Sequence, residues 1–357
     1  MQRQQQRRRN YMKKILSKIK RKKEEKPSRI TNETVAEHRE RILAGGRKFK
    51  YPVQYARHKL VINTIVISIT SLLIIIFLCW WQLYPAQNTS GFFYRFTQIV
   101  PVPVATIDGE QVRYSDYLMR FRSSLHFLQK QNMININSDD GKRQIEHLKR
   151  QSLDQAVTGA FVEKLARERN ITIDSEQINA FITKERQAQI TVLSEEAYEQ
   201  SVLREFYDWS LDEYKSIVRN TLLKREVSFA IDAAAKKRVE EIRSHLERGE
   251  DFARVAKDTS DDPTKNNGGD VGFVARSSQD QNGLVQAALS LKVNQVSDII
   301  KGTDGYYIIK LLEADEKRVR YARIKVSLTE FTQLLETKKT KNLQEYIGIA
   351  KESATLQ

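Results

Sequence analysis

Five histidines and one cysteine are the residues of this 357-residue chain with the widest chemical repertoire, and their placement excludes most of it. His38, His58, His126, His147 and His245 show no metal-ligand spacing, and Cys79 lies inside an apolar run. The chain therefore carries no cysteine-based metal motif and no disulfide pair, and it shows neither a P-loop nor a dinucleotide-binding glycine pattern. No metal or cofactor is expected. The polar residues that remain worth placing sit in Lys236 to Glu313, around the run SDDPTKNNGGDVGFVAR, Ser260 to Arg276.

The elements that must position that run are readable. Val239, Ile242, Leu246, Phe252, Val255 and Ala256 recur at helical steps interrupted once at Gly249. Asp262-Pro263 stops the helix, because proline disfavours the α conformation in the residue before it. Gly268-Gly269-Asp270 supplies a turn tolerant of positive φ, after which Val271 to Val274 can enter a sheet. Gly283 to Leu291 reads as a short helix, Lys301 to Gly305 contains a turn, and Tyr306 to Leu312 is a strong strand.

GEDFARVAKDTSDDP, NNGGDVGF and DGYYIIKLLE, in this order and at these distances, resemble the parvulin family of peptidyl-prolyl isomerases, in particular the domain of SurA- and PrsA-type foldases. The strong part covers about eighty residues. The resemblance implies an isomerase that needs no covalent intermediate and no cofactor. It must grip a proline ring and favour the twisted amide over the planar one, across a barrier of ~18–20 kcal/mol. By resemblance, Asp262 occupies a cysteine-or-aspartate position. Tyr307 stands for one histidine of the family pair and Arg323 for the other. Val271, Phe273, Val274, Gln279, Leu284 and Asp304 fall at substrate-facing positions. Both histidines are thus substituted, and Tyr307 can donate a hydrogen bond but lacks an imidazole's pKa.

Each residue also has a plainer role. Asp262 can serve only to end a helix, Tyr307 to pack across strands and Arg323 to solvate one, while Val271 and Leu284 suit any packed domain. The family's first strand, of the form ARHIL, has no counterpart before Lys236. Tyr321 to Val326 is expected to replace it, paired with Tyr306 to Leu312 as in a circular permutation.

The charge is segregated. The chain carries +15, and residues 1–59 hold 20 Lys+Arg against 5 Asp+Glu, so the rest is neutral. This basic tail, expected to be disordered or partly helical, precedes Leu60 to Leu83, which has no charge and is long enough to span a bilayer. Trp80, Trp81 and Tyr84 form an aromatic belt at its far end. A cleaved signal peptide would have a shorter apolar core and a short lead. The expectation is a single-pass anchor in the cytoplasmic membrane, with the tail cytoplasmic and facing anionic lipid, no nucleic acid bound, and the remainder extracytoplasmic.

The expected class is α+β: a basic tail (1–59), a transmembrane helix (60–84), a linker (85–103), a helical domain (104–232), a parvulin-like domain (233–326) and a C-terminal helix (327–357) returning to the helical domain. Val104 to Val112 reads as two short strands about an Asp-Gly turn. Leu148 to Arg169 is amphipathic, and capped helix starts stand at Asp174 or Ser175 and at Ser210. Leu328 to Ser353 reads as the last helix. The block resembles the SurA-type chaperone region. Three functions fit: a membrane-anchored isomerase acting on exported chains with X-Pro bonds, a non-catalytic holdase of the same fold, and a scaffold serving the basic tail.

Overall fold

The computed structural model describes residues 31–50, 52–131, 133, 135–187, 193–278 and 280–349. The chain divides into two units, 1–78 and 79–357. In the first, α1 (Asn32–Lys50) precedes α2 (Pro52–Leu83). Within α2, His58–Leu83 is the one helix among the described residues long and apolar enough to cross a membrane. Its aliphatic side chains from Leu60 to Leu78 are exposed all round, whereas a soluble helix would bury one stripe.

The second unit begins with the last residues of α2. The segment expected to be a linker contains α3 (Gly91–Ile99). Phe93 and Phe96, three residues apart, pack against the first core and hold a helix there despite the flanking prolines. β1 (Pro103–Ile107) and β2 (Glu110–Arg113) pair antiparallel through Asp108 and Gly109, both at positive φ, as a tight hairpin requires. α4 (Tyr114–Lys130), α5 (Asp139–Glu168), α6 (Ser175–Gln187), α7 (195–207) and α8 (Leu211–Ile231) follow. α5 starts nine residues before Leu148, because the Ser138 hydroxyl accepts from Gly141 N and caps it there. Tyr114, Phe121, Leu153, Phe161 and Leu223 form its core, with Phe331 inserted from the C-terminal segment.

α8 opens with a full capping box: Ser210 Oγ accepts from Glu213 N, and Glu213 Oε2 accepts from Ser210 N. Ser210→Ala is expected to cost about 1 kcal/mol. The loss should be confined to α8 amides in hydrogen exchange, and unchanged exchange there would show the box to be idle.

Beyond α9 (Ala233–Glu247) and α10 (Phe252–Thr259) lies a four-stranded antiparallel sheet. It comprises β3 (Asp270–Ala275), β4 (Ile300–Lys301), β5 (Gly305–Ala314) and β6 (Arg318–Ser327), in the order β3-β6-β5-β4. β5 is buried almost throughout because both faces are covered. Tyr306, Ile308, Ala322, Ile324 and Val326 meet α9 and α10, while Tyr307, Ile309, Leu311, Val319 and Tyr321 meet α11 (Leu284–Leu289).

α12 (Glu330–Asn342) ends far short of Ser353. The chain then forms β7 (Leu343–Glu345), pairing with β1 in a sheet ordered β2-β1-β7. Two forces defeat the expected helix. β1 offers an unpaired edge, and Arg150 grips the new strand, its Nη1 and Nη2 donating to Glu345 at 2.6 and 3.1 Å and its Nη2 to Ile349 O at 2.9 Å.

Candidate active site on the four-stranded sheet

α10 ends at Thr259, and the chain runs extended through Ser260 to Asp262, the N-cap of a 3-10 turn over Pro263–Asn267. Pro263 suits the first position of that turn, where no N–H is required. Asp262 Oδ1 accepts from Thr264 N at 3.0 Å and from Thr264 Oγ1 at 2.7 Å. Its Oδ2 lies 3.0 Å from Arg323 Nη2. Ser260 Oγ accepts from the backbone N of Asp262 and of Lys325, stitching this segment to the edge of β6.

Two features bring Arg323 to Asp262. Gly269 accepts the Arg323 N–H through its carbonyl at 2.9 Å. A Cβ at Gly269 would stand 2.6 Å from Arg323 O, and φ is +84°, so only glycine permits this approach. Antiparallel register then sets Ile309 opposite Arg323 and Tyr307 opposite Lys325, all on the α11 face. Tyr307 Oη donates to Asp304 Oδ1 at 2.7 Å and accepts from Asn282 Nδ2 at 3.2 Å. Lys325 Nζ lies 2.5 Å from Asp304 Oδ2. Asn282 Oδ1 in turn accepts from Thr303 N and Oγ1, both at 2.8 Å.

The electrostatics assign protonation states. Burial works against ionising Asp262, but the two Thr264 hydrogen bonds and Arg323 outweigh it and hold the carboxyl below its ordinary value. Asp304 behaves alike: burial raises it, while Lys325 and the Tyr307 hydroxyl prevail and lower it. Burial, then the bond to Asp304, pushes the Tyr307 phenol upward. The cluster thus presents two carboxylates and a neutral phenolic donor across the neutral pH range.

Of the residues singled out in the sequence, Asp262 meets Arg323 and Tyr307 meets Asp304, two pairs on one face of the sheet and near enough for Tyr307 to feel both charges of the first. Val271 and Val274 pack on the same face as half-buried residues. Leu284 is 1% exposed, so it backs the wall and offers no surface to a ligand. Phe273 is on the opposite face. A bulge between Asp270 and Phe273, with Gly272 at φ +81°, breaks the alternation so that Val271 and Val274 share a side and Phe273 turns away. There the Arg318 and Arg320 guanidinium carbons stand 4.5 and 5.9 Å from its ring centroid. Gln279 lies outside the described residues.

The sequence reading missed Thr264, Asn282 and Lys325. Lys325 was within reach, since it follows Arg323 by two residues in a strand and must share its face. Asn282 gave no signal, because its role depends on a loop meeting β5 from outside.

With this geometry in view, residues 222–313 match the rotamase family, described as the PPIC-type PPIASE domain, and residues 55–228 match a SurA-like N-terminal domain. A foldase protein PrsA of Caldanaerobacter subterraneus subsp. tengcongensis is 31% identical over 225 residues, covering 58% of this chain and 72% of that protein. The chain belongs to the PrsA foldase family. Its similarity is denser but shorter to the PrsA of a Geobacillus species, 44% identical over 84 residues, which are 23% of this chain and 30% of the relative. A parvulin-like PPIase of Rickettsia bellii is 27% identical over 220 residues, 59% of this chain and 72% of that protein. The cluster built by Asp262, Tyr307 and Arg323 draws Asp262 and Tyr307 from inside the rotamase match and Arg323 from ten residues beyond it.

Proposed function

We propose that this PrsA-family foldase catalyses rotation about X-Pro bonds at the Asp262–Arg323–Tyr307 cluster. As a foldase it assists protein folding, and its substrates are unfolded polypeptides. The observation that carries the catalytic reading is the Asp262–Arg323 pair. Asp262 is 6% exposed in its side chain and Arg323 is 28% exposed, so a buried carboxylate holds a partly exposed cation. As the prolyl amide twists, its nitrogen lone pair leaves conjugation and becomes an acceptor. A fixed donor there favours the twisted form over the planar one. Val271 supplies the adjoining half-buried apolar surface. Tyr307 keeps the Asp304 carboxylate in place and is a positioning residue.

The layout we infer is a helical domain over 104–232 and a parvulin-like domain over 233–326, in which β6 takes the place of the family's first strand. We read α2 as a single-pass anchor in the cytoplasmic membrane. We infer from the basic excess of residues 1–59 that they lie in the cytoplasm, beside anionic lipid, with the folded unit outside.

Protease-coupled isomerisation of X-Pro peptides by the full chain in detergent tests the catalytic reading. The rate should exceed the uncatalysed one, and Tyr307→Phe should lower kcat/KM about tenfold, the equivalent of one hydrogen bond. No acceleration, together with suppressed aggregation of an unfolded client, would favour a binding module. The closure of the cluster supports that second reading, since Asp262 and Tyr307 are 4% and 3% exposed.

The pH dependence follows from the shifts. Asp262 and Asp304 are depressed, so their contribution is present above the unfolded carboxylate value and is lost as pH falls through the folded one. Tyr307 is raised, so its contribution is present below the unfolded phenol value and is lost as pH rises through the folded one. Activity should therefore be flat between about pH 5.5 and 9. An inflection near the ordinary histidine value would point to another group.

A further inference from the structure

α3 has a face that the fold leaves uncovered. Phe93, Phe96 and the buried Thr97 turn toward the first core, and the Tyr94 hydroxyl bonds the Glu213 carboxylate. Phe92 and Ile99, seven residues apart with Arg95 between them, point outward, and Phe92 is 70% and Ile99 83% exposed. Val100 adds to the patch at 41%.

This patch is tied to the end of α2. Leu83 is buried in the first core, its carbonyl accepts from Tyr114 Oη at 2.5 Å, and Tyr84 Oη donates to Pro103 O at 2.7 Å. The connector does not stretch away. Ala86 N donates to Trp81 O at 3.0 Å and Asn88 N to Gln82 O at 2.8 Å, so the chain folds back over the last turn of α2. Gly91 follows Asn88 by three residues, which places the start of α3 within about 10 Å of the helix end.

We propose that Phe92, Arg95, Ile99 and Val100 lie in the headgroup–acyl boundary of the bilayer that α2 crosses, holding the folded unit against the membrane surface. The inference rests on the reading of α2 as an anchor. Lipid is the occupant the chemistry selects. The patch starts a short connector beyond Trp80 and Trp81, which mark the interface, and apolar residues flank one cation that can reach phosphate.

Nitroxide labels on the full chain in nanodiscs of phosphatidylcholine and phosphatidylglycerol test this. Cys79→Ser provides the background, with single cysteines from Phe92→Cys, Ile99→Cys, Ile69→Cys inside α2 and Glu316→Cys on the β5–β6 hairpin. Relaxation by lipid-soluble oxygen relative to a water-soluble nickel chelate should be high at 69, 92 and 99, and several-fold lower at 316. High lipid access at 69 with aqueous access at 92 and 99 overturns the proposal and leaves the anchor standing. Aqueous access at 69 as well overturns both. Shielding of 92 and 99 from both reagents, growing with protein-to-lipid ratio, would mean that a second copy covers the face, and overturns the proposal too.

Discussion

Asp262→Ala is expected to destabilise the four-stranded sheet by about 2–4 kcal/mol and to lower isomerase activity about a hundredfold. The stability figure has two sources. The half-buried N–H and hydroxyl of Thr264 lose their shared acceptor, and Arg323 loses its carboxylate. The Arg323 Nε already has no partner among the described residues, and the Tyr321 hydroxyl is the group left beside it. Because the Arg323 side chain is 28% exposed, water relieves part of the loss, which keeps the figure below that of a fully buried pair.

Asp262→Asn separates the two roles. The amide oxygen can still accept from Thr264, so most of the stability should return, but the charge that orients Arg323 is gone and activity should stay low. Hydrogen exchange of β5 and β6 reads the first quantity and peptide isomerisation the second. Full activity in Asp262→Asn would reduce Asp262 to a terminator of the α10 segment. A matching loss in Arg323→Met, with no further loss in the double variant, would show that the pair acts as one group.

The parvulin-like part was legible because its signals are local. Pro263 and Gly268-Gly269 mark the turns, and Tyr306 to Leu312 is apolar on both faces because helices cover both. The capped starts at Asp174 and Ser210 were legible for the same reason, as each cap is closed by a residue three positions on. What stayed hidden depends on partners far along the chain or on a change of register. β7 exists because β1 has a free edge, and Ala105 and Glu345 that pair there share no local pattern. α3 is stabilised by burying Phe93 and Phe96 in a core assembled from other helices. Phe273 was placed at a substrate-facing position by resemblance, and the bulge at Gly272 turns it away; a glycine inside a strand was the available warning. Of the polar residues on this face, Asp262 and Tyr307 lie in motifs legible in the sequence, whereas the Asn282 bridge gave no local sign.

The other large effect is expected at Asp232, remote from the proposed chemistry. This residue is 2% exposed and stands between α8 and α9. Its Oδ1 accepts from Ala235 N at 2.8 Å and caps α9. Its Oδ2 accepts from Thr329 N at 2.8 Å and Glu330 N at 3.2 Å, at the start of α12, where Thr329 makes no side-chain cap of its own. One carboxylate therefore sits at two helix N-termini, where the partial positive charge of each favours it. α9 packs on the four-stranded sheet, while α12 carries Phe331 and Leu335 into the first core.

Asp232→Ala should cost about 3 kcal/mol, one lost cap plus two stranded backbone donors. The loss should appear in α9 and α12 together, because the same group serves both. Asp232→Ser can restore the α9 cap but is too short to reach Thr329, so exchange should slow again in α9 and stay fast in α12. If α12 keeps its protection in Asp232→Ala, the carboxylate is only a local cap. If both helices loosen and isomerisation of short peptides survives while protection of an unfolded client is lost, then the joint at Asp232 serves chain holding, with the sheet able to rotate prolines alone.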